Sequence, residues 1–84
     1  MAKRERLQII RDILTIIKEN HNIRITPLIR RSNLSTSRFK EYYSDLLKKD
    51  FIIEKNKEIQ LVEKGFRFLE KYQTIVHFID EFDL

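Results

Sequence analysis

No cysteine occurs among the 84 residues, so the chain has neither a disulfide framework nor a cysteine-ligated zinc site. The only two histidines, His21 and His77, stand far apart, and no His-x-x-Glu-His spacing surrounds them. No metal or other cofactor is expected. Gly65 is the sole glycine, which excludes a glycine-rich phosphate loop. Ser32, Ser35 and Ser37 have no candidate base in a motif and read as caps and turn residues. The chain is therefore not expected to be an enzyme, and no small-molecule substrate is evident. No apolar run approaches the ~20 residues that a membrane span needs, and no signal-peptide pattern opens the chain. A cytoplasmic protein without membrane contact is expected.

At this length the chain forms one domain with a core of moderate size. The net charge of +4 hides an asymmetry. Met1 to Lys49 carries twelve Lys and Arg against five Asp and Glu, a balance of +7. Asp50 to Leu84 carries five against eight, a balance of −3, and ends in Asp80, Glu81 and Asp83. Basic residues grouped in one segment, with a pI near 9.5, are the electrostatic footprint of a polyanion binder.

The basic half contains the most informative stretch, TPLIRRSNLSTSRFKEYYSDLLKK at residues 26–49. It reads as a short helix, a tight turn and a second helix. Thr26 suits the first N-cap, with Pro27 at the first helical position, where a missing N–H costs nothing. Ser35 suits the second N-cap, and that helix should run to about Lys49. Phe39, Tyr42, Tyr43, Leu46 and Leu47 fall on one stripe at ~3.6 residues per turn. The opposite face centres on Ser37, Glu41, Ser44 and Lys48, flanked by Arg38 and Lys40. Such groups meet base edges and phosphates. An ordinary solvated surface helix would carry the same residues. Glu41 can accept from a cytosine amino group or pair with Arg38 one turn earlier. Arg30 and Arg31 point outward near the turn, where they can hold phosphates.

The remaining segments complete the order. Lys3, Arg4 and Arg6 make a basic start, read as a solvated tail that could reach a phosphate backbone. Leu7 to Asn20 is a helix whose apolar residues, Leu7, Ile9, Ile10, Ile13, Leu14, Ile16 and Ile17, cover half its circumference. Ile23 to Ile25 fits a small edge strand. Phe51 to Ile53 and Glu58 to Leu61 form a hairpin around Lys55-Asn56-Lys57, with Asn56 as a turn residue tolerant of the left-handed conformation. A basic hairpin after a helix-turn-helix suggests a wing touching the DNA backbone through Lys55 and Lys57. Its alternative is a solubilising loop, diluted by Glu54 and Glu58. Glu63 to about Phe82 is a last helix about 30 Å long. Gly65 in its first turn permits close backbone approach to a neighbour. Phe66 and Leu69 should pack on the domain. Phe68, Tyr72, Ile75, Ile79 and Phe82, at spacings of 4, 3, 4 and 3, form a short heptad seam for a second copy. The other outcome is that this helix folds back along Ile9 and Ile16 and buries the seam within one chain.

The fold class is mainly α (α+β): a winged helix-turn-helix at residues 1–62 and a C-terminal dimerisation helix at 63–84. NLSTSRFKEYYSDLLKKDFI followed by IQLVEKGFRFLEKY resembles an archaeal family of small winged-helix DNA-binding proteins. The matching positions are Thr26, Asn33-Leu34-Ser35, Tyr42, Leu46, Lys64-Gly65-Phe66 and Leu69, and the likeness covers about residues 7–76. It implies double-stranded DNA as partner, a homodimer joined by an antiparallel coiled coil of the last helix, and a role on the nucleoid in chromatin or transcriptional regulation. Asp50 stands where the family usually has glycine, and Val62 where it often has a threonine cap. The competing reading, from another class, is a winged helix serving only as a protein-interaction scaffold.

Overall fold

A computed structural model describes residues 4–84. Helix α1 spans Arg6–Glu19, one residue earlier than the apolar pattern predicts. Gln8 Oε1 accepts from the backbone N–H of Glu5 at 2.8 Å and closes the first turn. Ile10, Ile13, Leu14 and Ile17 face inward as expected, and Ile9 is buried with them. Leu7, counted with that apolar arc, instead lies in water.

Helix α2, Ile25–Ser32, begins before the expected Thr26 cap. The N-cap is Arg24, whose carbonyl accepts from Leu28 N–H at 3.1 Å. Thr26 is exposed in the first turn. Pro27 is two residues further in than expected, still among the first-turn positions whose N–H has no helical partner. The early start follows from Ile23, whose carbonyl accepts from Ile59 N–H at 2.8 Å. That single bridge replaces the predicted edge strand, because Ile25 already belongs to the helix. Helix α3, Thr36–Lys48, starts at the predicted cap: Ser35 Oγ accepts from Arg38 N–H at 3.2 Å.

Asp50 terminates α3 in the left-handed conformation, with φ 60°. Its N–H donates to Leu47 O at 3.1 Å and Phe51 N–H donates to Leu46 O at 3.0 Å, a Schellman closure. An aspartate thus takes the left-handed position for which the resemblance implies glycine. Strands β1 (Ile52–Lys55) and β2 (Glu58–Leu61) pair antiparallel, with Lys55 opposite Glu58. The turn between them is only Asn56-Lys57, both at positive φ (54° and 66°), as a type I′ hairpin requires.

Helix α4, Glu63–Glu81, follows Val62, which gives no side-chain cap, consistent with the missing threonine. Gly65 is buried, and a methyl there would drive into the Phe51 carbonyl oxygen and lie 3.1 Å from Leu61 Cδ2. The close approach expected of this glycine is therefore present. The packing of its neighbours differs from expectation. Phe68, not Phe66, joins Leu69 against the core and meets Phe51 edge-on with ring centres 5.5 Å apart. Phe66 is 45% exposed. The reason is angular: the contact with Phe51 fixes how α4 is rotated, and Phe68 lies on that side.

Phe66 shares a cavity with Ile17, Lys18 and His21, while Arg11 lies over the Tyr72 ring at 5.7 Å. Helix α4 therefore runs back along α1. The distal seam is nevertheless left uncovered: Ile75, Phe78, Ile79 and Phe82 are 40–58% exposed. The core gathers Ile10, Ile13, Leu14, Leu28, Phe39, Leu46, Ile52 and Ile59 from every other element. Three helices, a hairpin wing and a long final helix form the architecture predicted, a winged helix-turn-helix.

Candidate nucleic-acid interface

Side-chain hydrogen bonds and an ion pair close the turn of the helix-turn-helix. Asn33 leaves α2 in the left-handed conformation, φ 59°. Buried Ser32 donates from Oγ to Ile29 O at 2.6 Å and accepts from Leu34 N–H at 3.3 Å. Arg4 fastens the same turn from outside: Nη2 donates to Ser32 O at 3.0 Å and Nη1 pairs with Asp12 at 2.9 Å. The basic start is thus a structural clamp at Arg4 rather than a solvated tail. The phosphate contact considered for Lys3 lies outside the described residues.

Phe39, Tyr43 and Leu46 are buried beneath α3, with Tyr42 and Leu47 partly so. Ser35, Ser37, Arg38, Lys40, Glu41, Ser44 and Lys48 are all exposed. The Ser35 hydroxyl is already an acceptor in the cap. Arg38 and Glu41 make no ion pair with each other. They border a cleft of about 400 Å³ with Arg6, Tyr42 and Asp45. Arg30 and Arg31 are exposed as expected, but Arg31 also donates to Asn20 Oδ1 at the end of α1.

Lys55 and Lys57 are exposed at the tip of the hairpin. Neither enters an ion pair among the described residues. Glu54, expected to dilute them, is engaged elsewhere and accepts from the Tyr43 hydroxyl. Burial first, and this bond second, push the Tyr43 phenol well above the ordinary tyrosine range. Tyr43 is also stacked on Phe39 with ring centres 5.6 Å apart, so the wing is tied to the core side of α3. Sequence reasoning missed this link, since an aromatic at i+4 on an apolar stripe reads simply as core. It also missed Arg6, which crosses from α1 to pair with Asp45 at 2.9 Å.

A family described as winged helix-turn-helix matches residues 3–79. The chain belongs to the winged helix-turn-helix family. Winged helix-turn-helix domains in general bind DNA and typically carry no enzymatic activity. No curated protein matches the chain. Among the described residues of this winged helix, no group of three or more His, Cys, Asp or Glu could hold a metal ion. No helix among them is long and apolar enough to cross a membrane.

Proposed function

We propose that this winged helix binds double-stranded DNA as a homodimer, as a transcriptional regulator or chromatin-associated protein. Helix α3 enters the major groove, with Ser37, Arg38, Lys40 and Ser44 toward the bases and Glu41 as a discriminator of cytosine. Arg30 and Arg31 flank it on the backbone, and Lys55 and Lys57 touch phosphates without reading sequence. The observation that carries this reading is the division of α3. Its inner stripe is sealed into the core by Phe39 and Leu46, while every polar and basic candidate on its outer face is exposed and none of those on the outer face is in an ion pair among the described residues.

The exposed seam on α4 supports the dimer. Soluble monomers seldom leave such a patch in water, and a second copy of the helix would cover Ile75, Ile79 and Phe82. Phe68 and Tyr72 are partly used by their own domain and would form the inner margin of that contact. The same seam supports the alternative of a protein-interaction scaffold without DNA binding. Titration of random and genomic duplex fragments at several salt concentrations separates the two readings. Defined footprints indicate a regulator, uniform coating indicates an architectural protein, and no salt-dependent binding leaves only the scaffold.

A further inference from the structure

The recognition helix has a second edge, which borders its outer face at Arg38 and Glu41 and carries Asp45. Asp45 lies one turn beyond Glu41, on the flank shared with Arg38 and Tyr42. Its carboxylate takes Arg6 Nη2 at 2.9 Å and Lys49 Nζ at 3.1 Å. The Arg6 guanidinium also sits 5.8 Å from the centre of the Tyr42 ring. Arg6, Arg38, Glu41, Tyr42 and Asp45 together line the cleft of about 400 Å³. Two guanidinium groups and two carboxylates line it, and Lys49 reaches Asp45 from its edge, so the Arg6 charge is largely offset in the free protein. It is open to water, with the Arg6 side chain 61% exposed.

We propose that this cleft is a seat for a DNA backbone phosphate, with Arg6 as its ligand and Asp45 as a mask that keeps Arg6 neutralised until DNA docks. The proposal rests on the DNA-binding reading and extends it to a determinant of selectivity. Arg6 gives Asp45 one of its five N–H donors, and four remain for another acceptor. An exposed ion pair of this kind is weak. A phosphate offers a guanidinium two parallel charge-assisted bonds, which a single carboxylate contact does not match. The contact with the Tyr42 ring keeps the Arg6 guanidinium beside α3, so Arg6 needs no large movement to exchange partners. A polyanion passing at a distance meets an Arg6 whose charge is offset. Only a duplex seated against α3 brings a phosphate close enough to displace the carboxylate. Masking of this kind suppresses loose binding more than docked binding, and so widens the gap between them.

The test is a salt titration of duplex binding by the full chain, comparing wild type with Asp45→Asn, Arg6→Ala and the double variant. Glu70→Gln, an exposed carboxylate on α4, controls for the change in net charge. Thermal melts establish that each variant is folded. Each phosphate contact contributes about 0.9 to the slope of log K against log salt. Arg6→Ala should make the slope shallower by about 0.9. Asp45→Asn should tighten binding to random duplex and steepen the slope, more than Glu70→Gln does. Adding Arg6→Ala to Asp45→Asn should take back about 0.9 of that gain, which assigns it to Arg6 rather than to the released Lys49. Equal slopes for Asp45→Asn and Glu70→Gln, or no effect of Arg6→Ala in either background, overturn the seat while wild type still binds duplex. A wild type that binds no duplex overturns the seat together with the reading beneath it.

Discussion

Lys57 is held at φ 66° in a two-residue turn, where the preferred partner of Asn56 is glycine. A left-handed conformation costs a residue with a Cβ roughly 1–2 kcal/mol. Glycine gives part of that back through its larger conformational freedom in the unfolded chain, roughly 0.5–1 kcal/mol. Lys57→Gly should therefore stabilise the protein by about 0.5–1 kcal/mol. For a chain of this size, that raises the melting temperature by several degrees. The same change removes an exposed cation from the wing tip. It should make the slope of log K against log salt shallower by about 0.9 on any B-DNA sequence. Lys57→Ala removes the charge and keeps the strained backbone. It should show the same change in slope with no gain in stability. Thermal melts and DNA titrations on the three proteins separate the two effects. Equal stability of the glycine and alanine variants refutes the backbone argument. Unchanged slopes in both place the wing away from the DNA.

Three further outcomes follow from the packing. Gly65→Ala would gain up to ~1 kcal/mol in an open helix; here the methyl meets the Phe51 carbonyl and Leu61, so urea unfolding should show a net loss of roughly 1–3 kcal/mol, as overpacking does. Ile75→Asp with Ile79→Asp should leave a folded monomer with weaker DNA binding, while wild type sediments at twice the 10.3 kDa chain mass; a wild-type mass of one chain at micromolar concentration rules out the dimer. Because the folded-state pKa of Tyr43 is raised, its contribution to stability is complete below the free tyrosine value of about 10 and is lost as pH climbs above it. Denaturation at pH 8 and 11 should show the wild type losing more stability than Tyr43→Phe, which itself should cost about 0.5–1.5 kcal/mol at pH 8.

The parts of the fold that the sequence made legible were those with a local physical cause. Ser35 caps α3 because its hydroxyl accepts from the free Arg38 N–H of the first turn, and the stripe from Phe39 to Leu46 left no other face to bury. Gly65 was readable because a lone glycine inside a helix needs a neighbour's backbone to justify it. The errors came where tertiary contacts decided. Helix α2 starts early because Ile23 is captured by Ile59, 36 positions away in sequence. Phe68 rather than Phe66 packs on the core because its ring meets Phe51, in the link between α3 and β1. Within the site, the exposed face of α3 follows from periodicity. Arg6–Asp45 and Tyr43–Glu54 do not, since each joins residues on different elements with no shared repeat.

The central claim is that the outer face of α3 reads duplex DNA. It is tested most directly by measuring the affinity of wild type and of Arg38→Ala with Lys40→Ala for a footprinted site and for random duplex, at two salt concentrations. Wild type should bind both and weaken as salt rises. If Arg38 reads a base, its loss should cost about 1–3 kcal/mol on the footprinted site, and removing Lys40 should weaken binding to every sequence. A double variant that binds every duplex as tightly as wild type would contradict the claim.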